Sequence, residues 1–216
     1  WSFEHVHRYN HRAMATSSVP ALNRQSPTFM QAVWPERTAP GSNAAKIARG
    51  VTLAVVFSLL IGVSAHVSFF LPFTPVPVTL QTFAVLFTGA LLGSRLGTAT
   101  LALYIIEGVA GLPVFAPGNG PFADGYLAGF VVAAFVVGLL AERRWDRNPF
   151  GMAAIMAIGS AIIYFFGVIW LSIYVHGLSH VLYEGMIVFL PGDAAKAALA
   201  AVLLPTGWKL LGSRRG

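Results

Sequence analysis

An all-α integral membrane protein of six transmembrane helices, with both termini cytoplasmic, is the fold class this sequence predicts. Three observations lead there. Hydrophobic residues make up 56% of the 216-residue chain and charged residues 10%, whereas a water-soluble domain carries about a quarter charged residues. Mean hydropathy is +0.70, so the solvent for most of this surface must be lipid. From Val51 onward, apolar runs alternate with short breaks, and the cations are sorted between those breaks. The length fits one domain.

Residues 1–45 are unlike the rest. They hold Pro20, Pro27, Pro35 and Pro40 among many Ser, Thr and Asn, with no long apolar run. Such a composition buries too little apolar surface to offset the entropy of ordering it. The segment is expected to be a mostly disordered cytoplasmic extension, with the membrane domain over 46–216. No signal-peptide apolar region is found in it. The chain opens on Trp1, and Met14 offers a natural start.

The first span is Val51–His66, extended back toward Lys46. Pro77–Gly93, Leu96–Leu112, Gly125–Ala141, Gly151–Val175 and Ala194–Leu211 follow as the second to sixth. A helix needs about 20 residues, with a range of about 17–25, to cross the hydrocarbon, so several runs are short. Pro72, Pro75 and Pro77 crowd the entrance of the second run, which is expected to be the broken or re-entrant one. In the first span Ala54, Ser58 and Gly62 recur every fourth residue. Such a stripe of small residues permits close helix approach, inside the bundle or against a partner, and the former is commoner.

With the N-terminus inside, the inner segments carry Arg37, Lys46, Arg49, Arg95, Arg143, Arg144, Arg147, Lys209, Arg214 and Arg215. The outer loops 67–76, 113–124 and 176–193 carry no Lys or Arg, and Lys196 alone breaks the pattern. A soluble protein has no reason to sort its cations this way, whereas membrane insertion does. The same reading accounts for the net charge of +6, which would otherwise suggest a nucleic-acid partner; none is expected.

Polar groups in such a chain belong where protein or water covers them. In Asp193-Ala-Ala-Lys196 the spacing of three residues puts both side chains on one helix face, with the carboxylate near the positive end of the helix dipole. The pair is a candidate ligand site with one acceptor and one cationic donor, or a local ion pair that only lets the helix begin in lipid. In Pro75-Val-Pro-Val-Thr-Leu-Gln-Thr-Phe83 the prolines hold the chain extended. Thr79 reads as a helix cap, and Gln81 as a ligand contact or as a group bonded to a neighbouring helix. Gly118-Asn-Gly-Pro-Phe-Ala-Asp-Gly-Tyr126 is a turn-rich outer loop in which Asn119, Asp124 and Tyr126 offer polar and aromatic contacts. His176, His180 and Glu184 would share a stripe on a continuous helix, the basis for an alternative reading as a metal-dependent membrane enzyme. Against it, Gly177 and Gly185 flank the stripe and no H-E-x-x-H is present; no metal site is expected. The absence of Cys excludes disulfides and thiolate metal sites. No G-x-x-x-x-G-K-[ST] or G-x-S-x-G is found, so ATP hydrolysis and a serine nucleophile are not expected of this chain.

Taken together, Pro75-Val-Pro-Val-Thr-Leu-Gln-Thr-Phe83, Leu92-Gly-Ser-Arg-Leu-Gly97, Gly111-Leu-Pro-Val-Phe115, Gly125-Tyr126 and Pro191-Gly-Asp-Ala-Ala-Lys196 resemble the BioY family over roughly 46–212. These are the biotin-binding S components of energy-coupling-factor transporters. The resemblance implies a six-helix fold in the bacterial inner membrane and capture of biotin from outside. It also implies a T component and ATPase subunits as partners, although some members occur without dedicated ones. An S component for another vitamin is the nearest alternative. The implied substrate-binding residues are Asp193, Lys196, Gln81, Tyr126 and Asn119, with no cofactor. The family's glycine-rich stretch ends near Gly-Pro-Thr-Gly-Gly-Tyr, and here it is shorter and reads Gly-Pro-Phe-Ala-Asp-Gly-Tyr. Biotin's ureido ring has two N–H donors and one C=O acceptor. Asp193 can accept from an N–H and Lys196 can donate to the C=O, while the same cation can equally hold the carboxylate tail. Tyr126 and Phe115 are expected as apolar walls.

Overall fold

Lipid offers a backbone no hydrogen-bond partners, so an apolar run must pair its own N–H and C=O groups, and a helix does this within one segment. The computed structural model, which describes residues 26–35, 43–118 and 120–213, has a helix in each of the six apolar runs. In chain order the helices are α1 (Phe29–Val33), α2 (Asn43–His66), α3 (Gln81–Leu92), α4 (Ser94–Val109), α5 (Asp124–Glu142), α6 (Pro149–Leu171), α7 (Leu178–Gly185) and α8 (Leu190–Ser213). Among the described residues, four segments are long and apolar enough to cross a membrane: Asn43–His66, Pro121–Glu142, Pro149–Leu171 and Leu178–Gly212.

The second run is shorter as a helix than its apolar stretch. Val78 and Thr79 form a strand, and α3 has 12 residues, about 18 Å at 1.5 Å per residue. The prolines explain this: Val78 and Thr79 instead pair antiparallel with Phe69 and Ser68 in a two-stranded hairpin, β1 (Ser68–Phe69) with β2 (Val78–Thr79). The helix begins only after the last proline, and Thr79 is not its cap residue, although its Oγ1 accepts the Gln81 N–H at 3.1 Å.

Helix α5 is the hub, packed against α3, α4 and α6. Its inner faces are built from small residues, which is what lets backbones approach closely without a hydrophobic drive between helices. A methyl on Gly138 would lie 2.4 Å from the Ser94 nitrogen, and one on Gly89 of α3 would lie 2.8 Å from the Ala134 carbonyl oxygen. The small-residue stripe of α2 is likewise used inside the bundle. Ser58 and Gly62 are buried, Ser58 Oγ lies 3.0 Å from Glu107 Oε1 of α4, and Gly62 abuts Val114. The opposite face of α2 is apolar and exposed, with Val51 at 57% and Val63 at 70%, as a lipid-facing surface should be.

The two ends of the bundle differ in chemistry. At one end lie the start of α2, the α3–α4 and α5–α6 turns and the end of α8. Glu142 Oε1 there accepts from Ser94 N and Oγ at 2.8 and 2.9 Å, and Trp208 Nε1 donates to Asp146 Oδ2 at 2.6 Å. This end carries Lys46, Arg49, Arg95, Arg143, Arg144, Arg147 and Lys209. Within the proline-rich stretch 1–45, residues 26–34 pack onto this end, while 1–25 and 36–42 lie outside the described residues. Thr28 caps α1 through a reciprocal bond with Gln31, a capping box. Phe29 meets Trp208 edge-on at 5.4 Å, and Ser26 N donates to Glu142 O. The end of the bundle away from the cations holds the hairpin, α7 and a cavity.

Candidate functional site

The cavity lies between α3, α5, α6 and α8 and offers about 530 Å³ of space. Val76, Leu127, Phe130, Ile163 and Phe189 form apolar walls. The polar groups gather on one side and come from three different helices.

Helix α8 supplies the charges. Asp193 sits in its first turn, where the dipole and the open backbone N–H groups favour an anion. Lys196, one turn on, closes an ion pair of 2.8 Å to Asp193 Oδ1. The side chains of Lys196 and Asp193 are only 15% and 10% exposed, so other groups must replace their lost water. Lys196 Nζ also donates to Thr82 Oγ1 of α3 at 2.8 Å, and the Tyr164 hydroxyl of α6 donates to Asp193 Oδ2. An ion pair that only admitted a helix to lipid would need neither a cavity nor partners on two other helices. The cluster sums to zero charge; two of the three ammonium N–H groups go to Asp193 and Thr82, and lone pairs remain on the carboxylate.

The other sequence-predicted residues divide. Gln81 is 5% exposed and lines the cavity, but its Nε2 donates to Tyr104 OH of α4 at 2.8 Å. Tyr126 also lines the cavity, and its hydroxyl reaches out of it to the Gly185 carbonyl at 2.7 Å, tying α5 to the end of α7. Thr74 Oγ1 donates to the neighbouring Glu184 carbonyl at 2.7 Å, so hairpin, α7 and α5 meet over one corner. Asn119 lies outside the described residues. Asp124 is exposed at the start of α5 and is not in the cavity wall. Phe115, expected as a wall, instead packs edge-on to Tyr104 at 5.5 Å and fills the space over Gly108. The loop contributes Ala116 and Ala123 to the wall, while the larger ring of Phe115 is held in the gap that Gly108 leaves.

Two residues that sequence reasoning did not place in the site stand in its polar corner: Tyr164 and Thr82. Tyr164 had a signal, being one of very few polar side chains in a strongly apolar run. The metal stripe does not form as drawn. His176 precedes α7, which starts at Leu178, and among the described residues no three His, Cys, Asp or Glu side chains converge to hold an ion.

Apolar helices with lipid-suited outer faces, packed around a cavity whose wall carries one ion pair, define a helical membrane protein with a built small-molecule site. The family model of the BioY family matches residues 35–213. The chain is 37% identical over 161 residues to the biotin transporter BioY of Thermotoga maritima, spanning 72% of this chain and 93% of that protein. It is 33% identical over 186 residues to the biotin transporter BioY of Rhizobium etli, spanning 77% and 98%. The crystal structure of the S-component for biotin from an ECF-type ABC transporter superposes with a TM-score of 0.68 at 28% identity, covering 78% of this chain and 95% of that one. The chain belongs to the BioY family. That is a family of transporters, so this protein is a transport component and not an enzyme.

Proposed function

We propose that this chain is the membrane subunit that captures biotin for uptake, a multi-pass S component of the bacterial inner membrane. The observation that carries the reading is the buried Asp193–Lys196 pair in the cavity wall, held by Thr82 and Tyr164. Its donor and acceptor complement a cyclic urea, whose N–H groups donate and whose carbonyl accepts. Each charge-assisted bond contributes roughly 1.5–3 kcal/mol. Gln81 and Tyr126 serve as further wall contacts, and Asn119 is assigned to the same role from the loop beside Ala116. No cofactor is required, because capture involves no bond making.

Residues 46–216 form the substrate-binding unit in this proposal, and 1–45 an extension on the cytoplasmic side. The six helices α2, α3, α4, α5, α6 and α8 are inserted in the bilayer, with both termini inside. The sorting of Lys and Arg to one end and the cavity's place at the other support that orientation. The short α3 completes a crossing that the proline-rich hairpin begins on the outer side, and it ends beside Arg95 at the basic end. Binding alone supplies no directional energy and this sequence has no phosphate-binding ATPase loop, so a T component and ATPase subunits complete the transporter.

Mass spectrometry of the small molecule released from gently purified protein tests the reading directly. Biotin is the expected compound, and a panel of other vitamins should neither co-purify nor displace it. A different vitamin in the cavity would overturn the substrate assignment while leaving the fold untouched.

A further inference from the structure

Two charged side chains line the ligand cavity, Asp193 and Lys196, and they face each other at 2.8 Å. The rest of its wall among the described residues is neutral. Val76 and Pro77 from the hairpin segment and Ala116 and Ala123 from the loop before α5 are apolar. Thr79 brings a hydroxyl whose oxygen accepts the Gln81 N–H at 3.1 Å and whose own O–H can still donate. The Gln81 amide has already given Nε2 to Tyr104. Every other Lys and Arg among the described residues belongs to the opposite end of the bundle. The wall therefore sums to zero charge, whereas biotin is an anion whose carboxylate ends a butyl chain leading away from the urea-bearing ring.

The donors of Lys196 decide which end of that molecule is read. One N–H goes to Asp193 and one to Thr82, so an ammonium with three donors has one left. In the reading proposed above, on which this inference rests, that one meets the carbonyl of the cyclic urea. None remains for the carboxylate at the far end. Drawing a carboxylate out of water with no cation beside it costs far more than a neutral hydroxyl returns, so the negative charge of the tail adds nothing to binding. A hydroxyl such as that of Thr79 can donate to an amide carbonyl as well as to an acid. We propose that the cavity selects the cyclic urea and ignores the charge of the tail, so that its substrates include neutral amides of biotin as well as the free acid.

Isothermal titration of the purified full chain, freed of bound ligand, with biotin and with biotinamide tests this without altering the protein. The two are expected to bind within about fivefold of each other. Lipoate, an acid on an apolar chain with no urea, is expected to displace neither at about a thousandfold excess, because a site built around polar groups rejects a ligand that leaves them unpaired. Lys196→Met should weaken biotin and biotinamide by the same factor. A preference for the acid beyond about fivefold overturns the proposal while leaving biotin as the ligand. So does a Lys196→Met variant that weakens biotin alone, which would put the carboxylate on the lysine. Displacement by lipoate would show that the acid is read, and overturns it too. If Lys196→Met weakens neither ligand, the pair is not the urea site; the reading of the site then fails, and this inference falls with it.

Discussion

Replacing Lys196 by Met separates what the ion pair does for the fold from what it does for the ligand. The methionine keeps the length and apolar stem of the lysine but removes its charge. Asp193 is then left 10% exposed with Thr82 and Tyr164 as its side-chain donors. Breaking a buried pair by deleting one partner costs about 3–5 kcal/mol, because the surviving charge stays out of water. The two hydroxyls that remain soften this, so destabilisation near the lower end is expected in thermal unfolding. Binding should weaken further, by about 10- to 150-fold, for the loss of one charge-assisted bond to biotin. The informative variant is the double substitution Asp193→Asn with Lys196→Met. It removes the orphan charge, so most of the lost stability should return, while affinity measured by titration calorimetry should not. Binding by Lys196→Met within threefold of the unsubstituted protein would refute the assignment of the pair to the ligand. Recovery of affinity in the double variant would show that the pair acts only through stability.

Other perturbations follow from the same geometry. Tyr126→Phe deletes the bond to the Gly185 carbonyl and should cost about 1 kcal/mol, seen as faster ligand release in stopped flow because α7 is no longer tied to α5; an unchanged release rate would count against that tie. Gly138→Ala forces a methyl to within 2.4 Å of the Ser94 nitrogen and should destabilise by about 1–3 kcal/mol, read as a lower unfolding midpoint. Burial raises the carboxyl of Asp146 above its ordinary range, against the opposing pull of Trp208 and the arginines. A raised carboxyl binds its proton more tightly folded than unfolded, so its ionisation lowers stability as pH rises from the ordinary carboxylate range through the folded value. Asp146→Asn should remove that part of the decline, and an identical slope of melting temperature against pH in both proteins would contradict it.

Much of the fold was legible because lipid leaves so few choices. All six apolar runs contain a helix, four of the segments among the described residues being long enough to span a membrane. The length of α3 was not legible to the residue, because hydropathy does not distinguish Val78–Thr79 as strand from the same residues as a helical turn; hairpin pairing with Ser68 and Phe69 decides it. The packing of Ser26–Val33 on the bundle was also hidden, since its apolar anchors are few. It docks through Phe29 on Trp208 and through backbone and capping bonds that composition cannot display. In the site, the Asp193–Lys196 spacing was readable because a helix converts three residues of separation into contact. Tyr164 and Thr82 were harder, because their meeting with Asp193 and Lys196 depends on how α3, α6 and α8 are brought together. The same long-range packing withdraws Phe115 from the ligand and puts it over Gly108.

Helix α8 is moored unevenly. Near its far end Trp208 grips Asp146, and near its beginning Lys196 grips Thr82, yet only 17% of the 18 apolar residues that mark Leu178–Gly212 as a candidate span are buried inside the protein. Segments that bury little open at the least free-energy cost. A molecule seated between Asp193, Lys196 and the walls on α5 and α6 adds a further attachment at that lightly held beginning. Loading should therefore tighten one particular helix more than its neighbours, and a change in the position of α8 would tell the surroundings whether the cavity is full.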